Sequence, residues 1–374
     1  MHQLAVVGAG VIGLSCAWRA AAAGWRVTVV DPAPARGASW VAGGMLAPVT
    51  EAWPGEEELL DLGLESLQRW PGFAADLAAA AGRAPGLREE GTVVAATGAG
   101  DRAELGALAA FLGTLGREVD QLTGRELRRL EPALGPDVRG GLSVPGDLAV
   151  DNRAFLAALL AACERAGVAV VAHAVTSICA DGDRVTGLRL APAADISADV
   201  VLLCAGAHSG LLHPALAGLV RPVKGEIVRL AHRGTALPPP TRTVRALVDG
   251  RPVYAVPRDG GGLVVGATQY EAGFDTDVTV AGVRDLLRDV ERVLPAVAEY
   301  TLVETAAGLR PGSPDNRPLI GALGPDGLLV ATGHGRNGML LAPATADAVV
   351  AMLAGRPGPS AADPDRFAAQ PARR

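Results

Sequence analysis

Aromatic residues make up only 3% of this 374-residue chain, so its cores are expected to be aliphatic and each tyrosine (Tyr254, Tyr270, Tyr300) is conspicuous. Cysteine is scarce too: Cys16, Cys163, Cys179 and Cys204 are widely spaced, with no CxxC and no Cys/His grouping at metal-ligand intervals. This excludes a disulfide scaffold, gives no metal site, and reads as small buried thiols of a reducing compartment. No long basic cluster interrupts a chain of formal net charge −6, which excludes nucleic acid as a partner, because neutralising phosphates needs a concentrated positive face. No run approaches the roughly 20 apolar residues that span a bilayer. The N-terminus lacks a positive n-region, and glycines interrupt its first apolar run, so neither a signal peptide nor a membrane partner is expected and a cytoplasmic location follows.

What is present is apolar substance, 49% of the residues, enough for two cores in a chain longer than one usual domain. Leu4 to Val7, the Ala-rich stretch Ile12 to Ala23, and Trp25 to Val30 spell strand, helix and strand, one βαβ unit. Residues 32–55 show little periodicity and suit a chain running extended past a ligand. Helical patterns cover 56–81, 101–115, 123–130 with a Thr123-to-Glu126 capping box, 151–166 and 280–294. Strand patterns cover 87–94, 168–172, 185–190 and 200–204, and 222–267 reads as short alternating strands of an antiparallel sheet. The Pro/Ala-rich tail from Gly355 is expected to be loosely held. The predicted fold is α/β plus antiparallel β: a Rossmann-type nucleotide domain, discontinuous over 1–86, 148–220 and 308–374, with an inserted antiparallel-sheet substrate domain over 87–147 and 221–307.

Gly8-Ala9-Gly10-Val11-Ile12-Gly13 fits G-x-G-x-x-G between a strand and a helix. Gly8 permits the tight turn, Gly10 lets backbone approach a pyrophosphate, and Gly13 allows close helix–sheet contact, with the helix N-terminus at Val11 and Ile12 facing the phosphates. Asp31, at the end of the second strand, can accept hydrogen bonds from ribose hydroxyls. This signal indicates a dinucleotide without separating NAD from FAD. Strand–helix pieces recur at 151–206 and 328–353, however, and the turn Gly333 to Gly338 suggests a second helix N-terminus opening near Gly338 toward the cofactor's other end. Backbone N–H groups there would stabilise the negative charge a flavin gathers on reduction.

Together GAGVIGL (8–14), ASWVAGGMLAP (38–48), RPVKGE (221–226), VYAVPR (253–258), GLRPGSPDNRPLIG (308–321) and GHGRNGMLLAPAT (333–345) resemble the D-amino-acid oxidase and glycine oxidase family, most of all its thiamine-biosynthetic branch. The resemblance runs to about residue 353. It implies non-covalent FAD, the region of GLRPG having no cysteine to attach it. It also implies oxidation of a small amine or amino acid by hydride transfer to flavin N5, giving an imine that hydrolyses to a keto acid (glyoxylate from glycine) and ammonia, with O₂ reduced to hydrogen peroxide. A sarcosine, D-amino-acid or proline oxidase or dehydrogenase is an alternative within the family, and a non-catalytic flavin-binding subunit is one outside it. Relatives are often homo-oligomers.

By the same resemblance, Arg310 binds the substrate carboxylate, a role suited to the planar fork of a guanidinium. Tyr254 covers or hydrogen-bonds the substrate, and Arg336 stands near flavin and carboxylate. Asp31, Gly43, Gly44, Met45 and Val175 line FAD, Ser39 donates to a phosphate, and Gly206, Gly308, Gly335, Arg336, Asn337, Gly338 and Met339 complete the cofactor site. Lys224 and Glu226, on one face of a strand around Gly225, are expected to form a structural salt bridge, and His334 is given no catalytic role. Gln269 stands where some relatives carry a lysine that promotes oxygen reduction. Pro252 stands where the best-matched oxidases carry a polar residue, which leaves substrate size open.

Overall fold

The structure, a computed structural model, describes residues 2–117, 119–192, 194–234 and 237–367. Gln3–Val7 lies inside a six-stranded sheet, parallel to Arg26–Val30 on one side and Val200–Leu203 on the other. Ala169–Val171 extends one edge, and Leu328–Thr332 with antiparallel Leu319–Ala322 the other. The pleat sends Leu4 and Val6 to one face and Ala5 and Val7 to the opposite one. Leu4 and Val6 join a core with Leu14, Trp70, Phe155 and Val349 from the helices Val11–Ala22, Glu57–Ala81, Asn152–Arg165 and Ala342–Leu353. Ala5 and Val7 pack with Leu188 and Leu190 of a three-stranded antiparallel sheet, 174–181, 184–191 and 194–197. With both faces covered, the strands of the six-stranded sheet are continuous apolar runs.

The core is not wholly aliphatic. Trp70 and Phe155 meet at 5.0 Å between ring centroids, and Phe73 packs at 6.0 Å from Trp70. The Trp70 indole N–H and the Ser66 hydroxyl both donate to the Leu340 carbonyl, at 3.0 and 2.6 Å. The long helix is thereby tied to the second glycine-rich segment.

The second large sheet has eight strands, in the order 301–312, 221–231, 262–266, 251–257, 243–248, 92–96, 140–144, 120–123. All its pairs are antiparallel except 92–96 with 243–248. Helix Val280–Val293 covers one face through Leu286, Val290 and Val293. On the other face, Ile227 and Val264 meet Val41 from the segment that follows the first βαβ unit. The α/β plus antiparallel architecture expected from the sequence is the one formed.

Four local expectations are corrected. The strand expected over 87–94 splits at Gly91 (φ 84°), where a Cβ would lie 2.8 Å from the Pro145 backbone. Leu87–Arg88 joins a small sheet with 45–46 and 148–150, while Thr92–Ala96 enters the large one. Strands Gly140–Val144 and Ala174–Asp181 were not expected. The tail from Gly355 is packed as far as Phe367: Ala362 is fully buried and Arg366 ion-pairs with Asp315 at 2.9 Å. Finally, the expected boundary at 308 falls inside the continuous strand Thr301–Gly312, so Arg310 is carried by the large sheet.

Candidate active site

At the end of Gln3–Val7 the chain turns at Gly8 (φ 105°), where a Cβ would lie 2.4 Å from the Cys204 carbonyl oxygen. At Gly13 a Cβ would lie 1.9 Å from the Gly8 oxygen. Both neighbours are backbone atoms, so only glycine fits. The Val11 N–H at the helix start donates to the Ser39 hydroxyl at 3.0 Å, and Ile12 is buried behind it. A Cβ on Gly10 would lie 3.3 Å from that same hydroxyl oxygen. Asp31 accepts from Ala9 N–H and Ala33 N–H, each at 2.7 Å, so its carboxylate braces the turn while retaining lone pairs for further donors. Val175 is half-buried against the apolar group that contains Val30 and Val7, and Gly206 opens the turn after Val200–Leu203 at φ 56°.

The other end of the track runs past Gly43, Gly44 and Met45. Gly44 (φ 79°) has no room for a Cβ, which would sit 2.0 Å from the Val150 oxygen. At Gly43 a Cβ would meet the Tyr254 ring at 2.7 Å, and at Gly266, directly opposite Tyr254 in the sheet, it would meet the phenol oxygen at 2.3 Å. Tyr254 therefore occupies space that two glycines clear. Burial raises the pKa of its phenol, and the Arg310 charge acts in the opposite direction, so the two side chains are within electrostatic reach.

Arg310 is half-buried on strand Thr301–Gly312. Among the described residues it has no ion pair, and its one hydrogen bond runs from Nη1 to the Thr268 carbonyl at 3.4 Å. Its guanidinium lies over Gly225, where a Cβ would be 2.2 Å from Nη1. Gly308, one pleat away, lets the strand approach Ala38 and Val41. The structure thus brings Arg310 and Tyr254 to one sheet face beside the 38–45 segment. Arg336 is engaged within the protein: its Nη2 pairs with the Glu56 carboxylate and donates to the carbonyl of Glu51, whose side chain pairs with Arg245.

The second glycine-rich segment differs in detail from expectation. The helix opens at Ala342, not near Gly338, with Pro343 in its first turn and a short 3-10 turn, Gly335–Asn337, before it. Among the described residues, the N–H groups of Gly338, Met339 and Leu340 have no acceptor. Asn337 is buried, and its carbonyl accepts from Leu341 N–H at 2.8 Å. His334 is buried against Thr345 (Nε2 to Oγ1, 3.0 Å), and burial pushes its pKa down to about 3, so it stays neutral.

Lys224 and Glu226 do not pair with each other. Lys224 is buried and gives its ammonium to the Asp275 carboxylate and the Asp277 carbonyl. Glu226 accepts from Thr279 N–H at 2.7 Å and from the Thr268 hydroxyl at 3.1 Å. The salt bridge expected between Lys224 and Glu226 is not formed; the acid that pairs with Lys224 is Asp275, from the loop after Gly266.

Three cations near the site, Arg245, Arg258 and Arg229, were not expected from the sequence. Arg245 stands directly opposite Tyr254 in the sheet and ion-pairs with Glu51 at 3.0 Å; its only signal was a lone arginine in the alternating strand Thr243–Val248. Arg258, which closes the VYAVPR motif, is buried beneath the Gly43 carbonyl (Nη2 to O, 2.7 Å), and burial lowers its pKa to about 10. With Arg229 it holds Asn152, whose amide donates to the carbonyls of Ser39 and Trp40 at 2.9 and 2.8 Å.

These residues fit a dinucleotide carrying a flavin. The turn at Gly8 and Gly13 admits no side chain, the helix N-terminus faces outward from it, and three unpartnered N–H groups wait at 338–340. Comparison with known proteins agrees. The family model described as DAO, FAD dependent oxidoreductase, matches residues 3–352. A glycine oxidase of Pseudomonas aeruginosa is 34% identical over 362 residues, covering 95% of each chain. A bifunctional protein ThiO/ThiG of Synechocystis sp. is 33% identical over 345 residues, 91% of this chain and 50% of that one. The crystal structure of glycine oxidase from Geobacillus kaustophilus aligns with a TM-score of 0.87 at 31% identity, covering 98% of each chain.

Proposed function

This chain belongs to the DAO family of FAD-dependent oxidoreductases, and from that premise we propose that it oxidises glycine with O₂ as acceptor. The balance is glycine, O₂ and water to glyoxylate, ammonia and hydrogen peroxide. The observation that carries this reading is Arg310: a half-buried guanidinium with no acid partner among the described residues, on a glycine-cleared face beside Tyr254. A cation so placed is ready for an external carboxylate, which it grips with two parallel hydrogen bonds.

When bound, FAD supplies the acceptor for the substrate's hydride. The protein's part is positioning. Arg310 fixes the carboxylate, the Tyr254 ring and hydroxyl border the same space, and the α-carbon is held by orientation. His334 is neutral and turned to Thr345, so it is no base. Glu226 lies on the far face of its strand, hydrogen-bonded to Thr268 and Thr279. Neither residue is placed to take the amine's proton. The N–H groups of Gly338, Met339 and Leu340 would be available to stabilise negative charge gathered by the reduced flavin, and Ser39, Asp31 and the Gly8–Gly13 turn would hold the nucleotide. Arg336 braces the site wall through Glu56.

Similarity to glycine oxidases and to a ThiO/ThiG protein supports glycine over bulkier amines and a role in thiamine biosynthesis. Free thiols at all four cysteines support a reducing, cytoplasmic setting. Among the described residues no helix is long and apolar enough to cross a membrane.

The test is peroxide release under air with glycine, sarcosine, D-alanine and D-proline, with glycine expected to give the highest kcat/KM. In Arg310→Ala the KM for glycine should rise about 100-fold or more, the loss of a charge-assisted bidentate contact. An unchanged KM would remove Arg310 from the carboxylate.

A further inference from the structure

Motif 221–226 holds three residues that the proposed reaction leaves without a role: Lys224, Gly225 and Glu226. Along strand Arg221–Ala231 they alternate between faces. Gly225 lies on the face of Arg310, whose Nη1 and Nη2 would be 2.2 and 2.5 Å from a Cβ there. Lys224 and Glu226 are fully buried on the other face, where a Cβ on Gly282 of helix Val280–Val293 would collide with the Glu226 carboxylate.

Thr268 connects the two faces. Its N–H donates to the Glu226 carbonyl at 3.3 Å, its hydroxyl oxygen accepts from the Glu226 N–H at 2.9 Å, and its hydroxyl donates to Glu226 Oε2 at 3.1 Å. Glu226 is itself fixed by Thr279 N–H at 2.7 Å. Three hydrogen bonds thus orient a residue whose own carbonyl accepts the one hydrogen bond that the Arg310 guanidinium makes among the described residues.

We propose that Thr268, gripped by Glu226, is the positioning residue for Arg310, aiming its guanidinium at the substrate carboxylate without neutralising it. This inference rests on reading Arg310 as the carboxylate site. A carboxylate on the Arg310 face would compete with substrate for the same fork. A neutral carbonyl fixes the plane of the fork and leaves the full charge available. Glu226 thereby acts through the sheet, its negative charge spent on Thr268 and Thr279. Lys224, through Asp275 and Asp277, anchors the loop that continues from Thr268.

The test uses the FAD-loaded enzyme and acetate, a carboxylate with no amine to oxidise, with binding read from perturbation of the flavin absorbance beside KM and kcat for glycine. Thr268→Val keeps the branched shape and loses the hydroxyl. In it the acetate Kd and glycine KM should each rise about 5- to 10-fold, with kcat within about 2-fold of wild type, and Thr268→Ser should restore both. Wild-type affinity in Thr268→Val overturns the proposal. Equal losses in the Val and Ser variants overturn it too, since the hydroxyl would then be irrelevant. Should Thr268→Val fail to fold, Glu226→Gln is measured instead: the same rise supports the proposal and an unchanged KM overturns it. Arg310→Ala separates this from the broader reading. If it leaves the acetate Kd unchanged, the carboxylate site lies elsewhere; if it weakens acetate while Thr268→Val does not, only the positioning role falls.

Discussion

Two regions of this molecule are lined by glycine for different reasons. At the N-terminal turn, the space a side chain would take belongs to backbone: the Cys204 oxygen at Gly8 and the Gly8 oxygen at Gly13. On the antiparallel sheet and the 38–45 segment that faces it, it belongs to the working ends of side chains: the Arg310 guanidinium at Gly225, and the Tyr254 ring and hydroxyl at Gly43 and Gly266. Backbone cannot yield locally, whereas the end of a long side chain can. The first set of glycines therefore maintains the fold of the nucleotide site, and the second reserves room for the groups that meet the substrate.

The largest effect should come from the backbone set. In Gly13→Ala a Cβ 1.9 Å from the Gly8 oxygen forces the turn open, a cost expected to exceed the roughly 1–3 kcal/mol of ordinary overpacking. Gel filtration followed by flavin absorbance should show most of the FAD lost, with a lowered Tm. A Gly13→Ala protein that keeps its FAD would break the contrast between the two regions.

The division also explains what was legible in the sequence. The clash at Gly13 is with a residue five positions away, so spacing alone announced it, and the flanking strand and helix confirmed it. Arg310 was legible only through resemblance to a family. Its dependence on Gly225, the opposition of Arg245 to Tyr254, and the capture of Lys224 by Asp275 all depend on strand register or loop return, which no local pattern encodes. The split at Gly91 and the helix start at Ala342 belong to the same kind: one follows from a tertiary contact with Pro145, the other from how the chain enters the turn at 335–341.

Asp147 tests whether the substrate side contains architectural groups as well. Its buried carboxylate accepts from Thr50 N–H (3.2 Å), the Thr50 hydroxyl (2.7 Å) and Val49 N–H (3.4 Å), fixing the segment that carries Glu51 to Arg245. Burial outweighs these bonds and raises its pKa from 3.8 to about 6. The folded protein thus binds the proton more tightly than the unfolded chain. The associated stability is complete below pH about 4 and is lost as pH rises through about 6, roughly 3 kcal/mol at 1.36 kcal/mol per unit. His334 acts with the opposite sign, since its lowered pKa costs stability as pH falls from 6.5 toward 3. Unfolding free energies of wild type and Asp147→Asn from pH 4 to 7 isolate the carboxylate: their difference should shift by that amount, and parallel curves would remove Asp147 from the account.

The finest test of the comparison is Gly225→Ala. Alanine is better suited than glycine to a strand interior by up to about 1 kcal/mol of backbone entropy, and what its Cβ meets is the far end of the Arg310 side chain, not backbone, so the fold should hold and Tm should stay level or rise slightly. The guanidinium, however, must leave its place over residue 225 and with it the Thr268 carbonyl. The KM for glycine should rise about 10-fold, the worth of one hydrogen bond to a charged group, with FAD content unchanged. A stabler enzyme with weaker substrate binding is an outcome that a purely structural glycine cannot produce. A lowered Tm with an unaltered KM would place Gly225 in the same class as Gly13 and dissolve the distinction between the two regions.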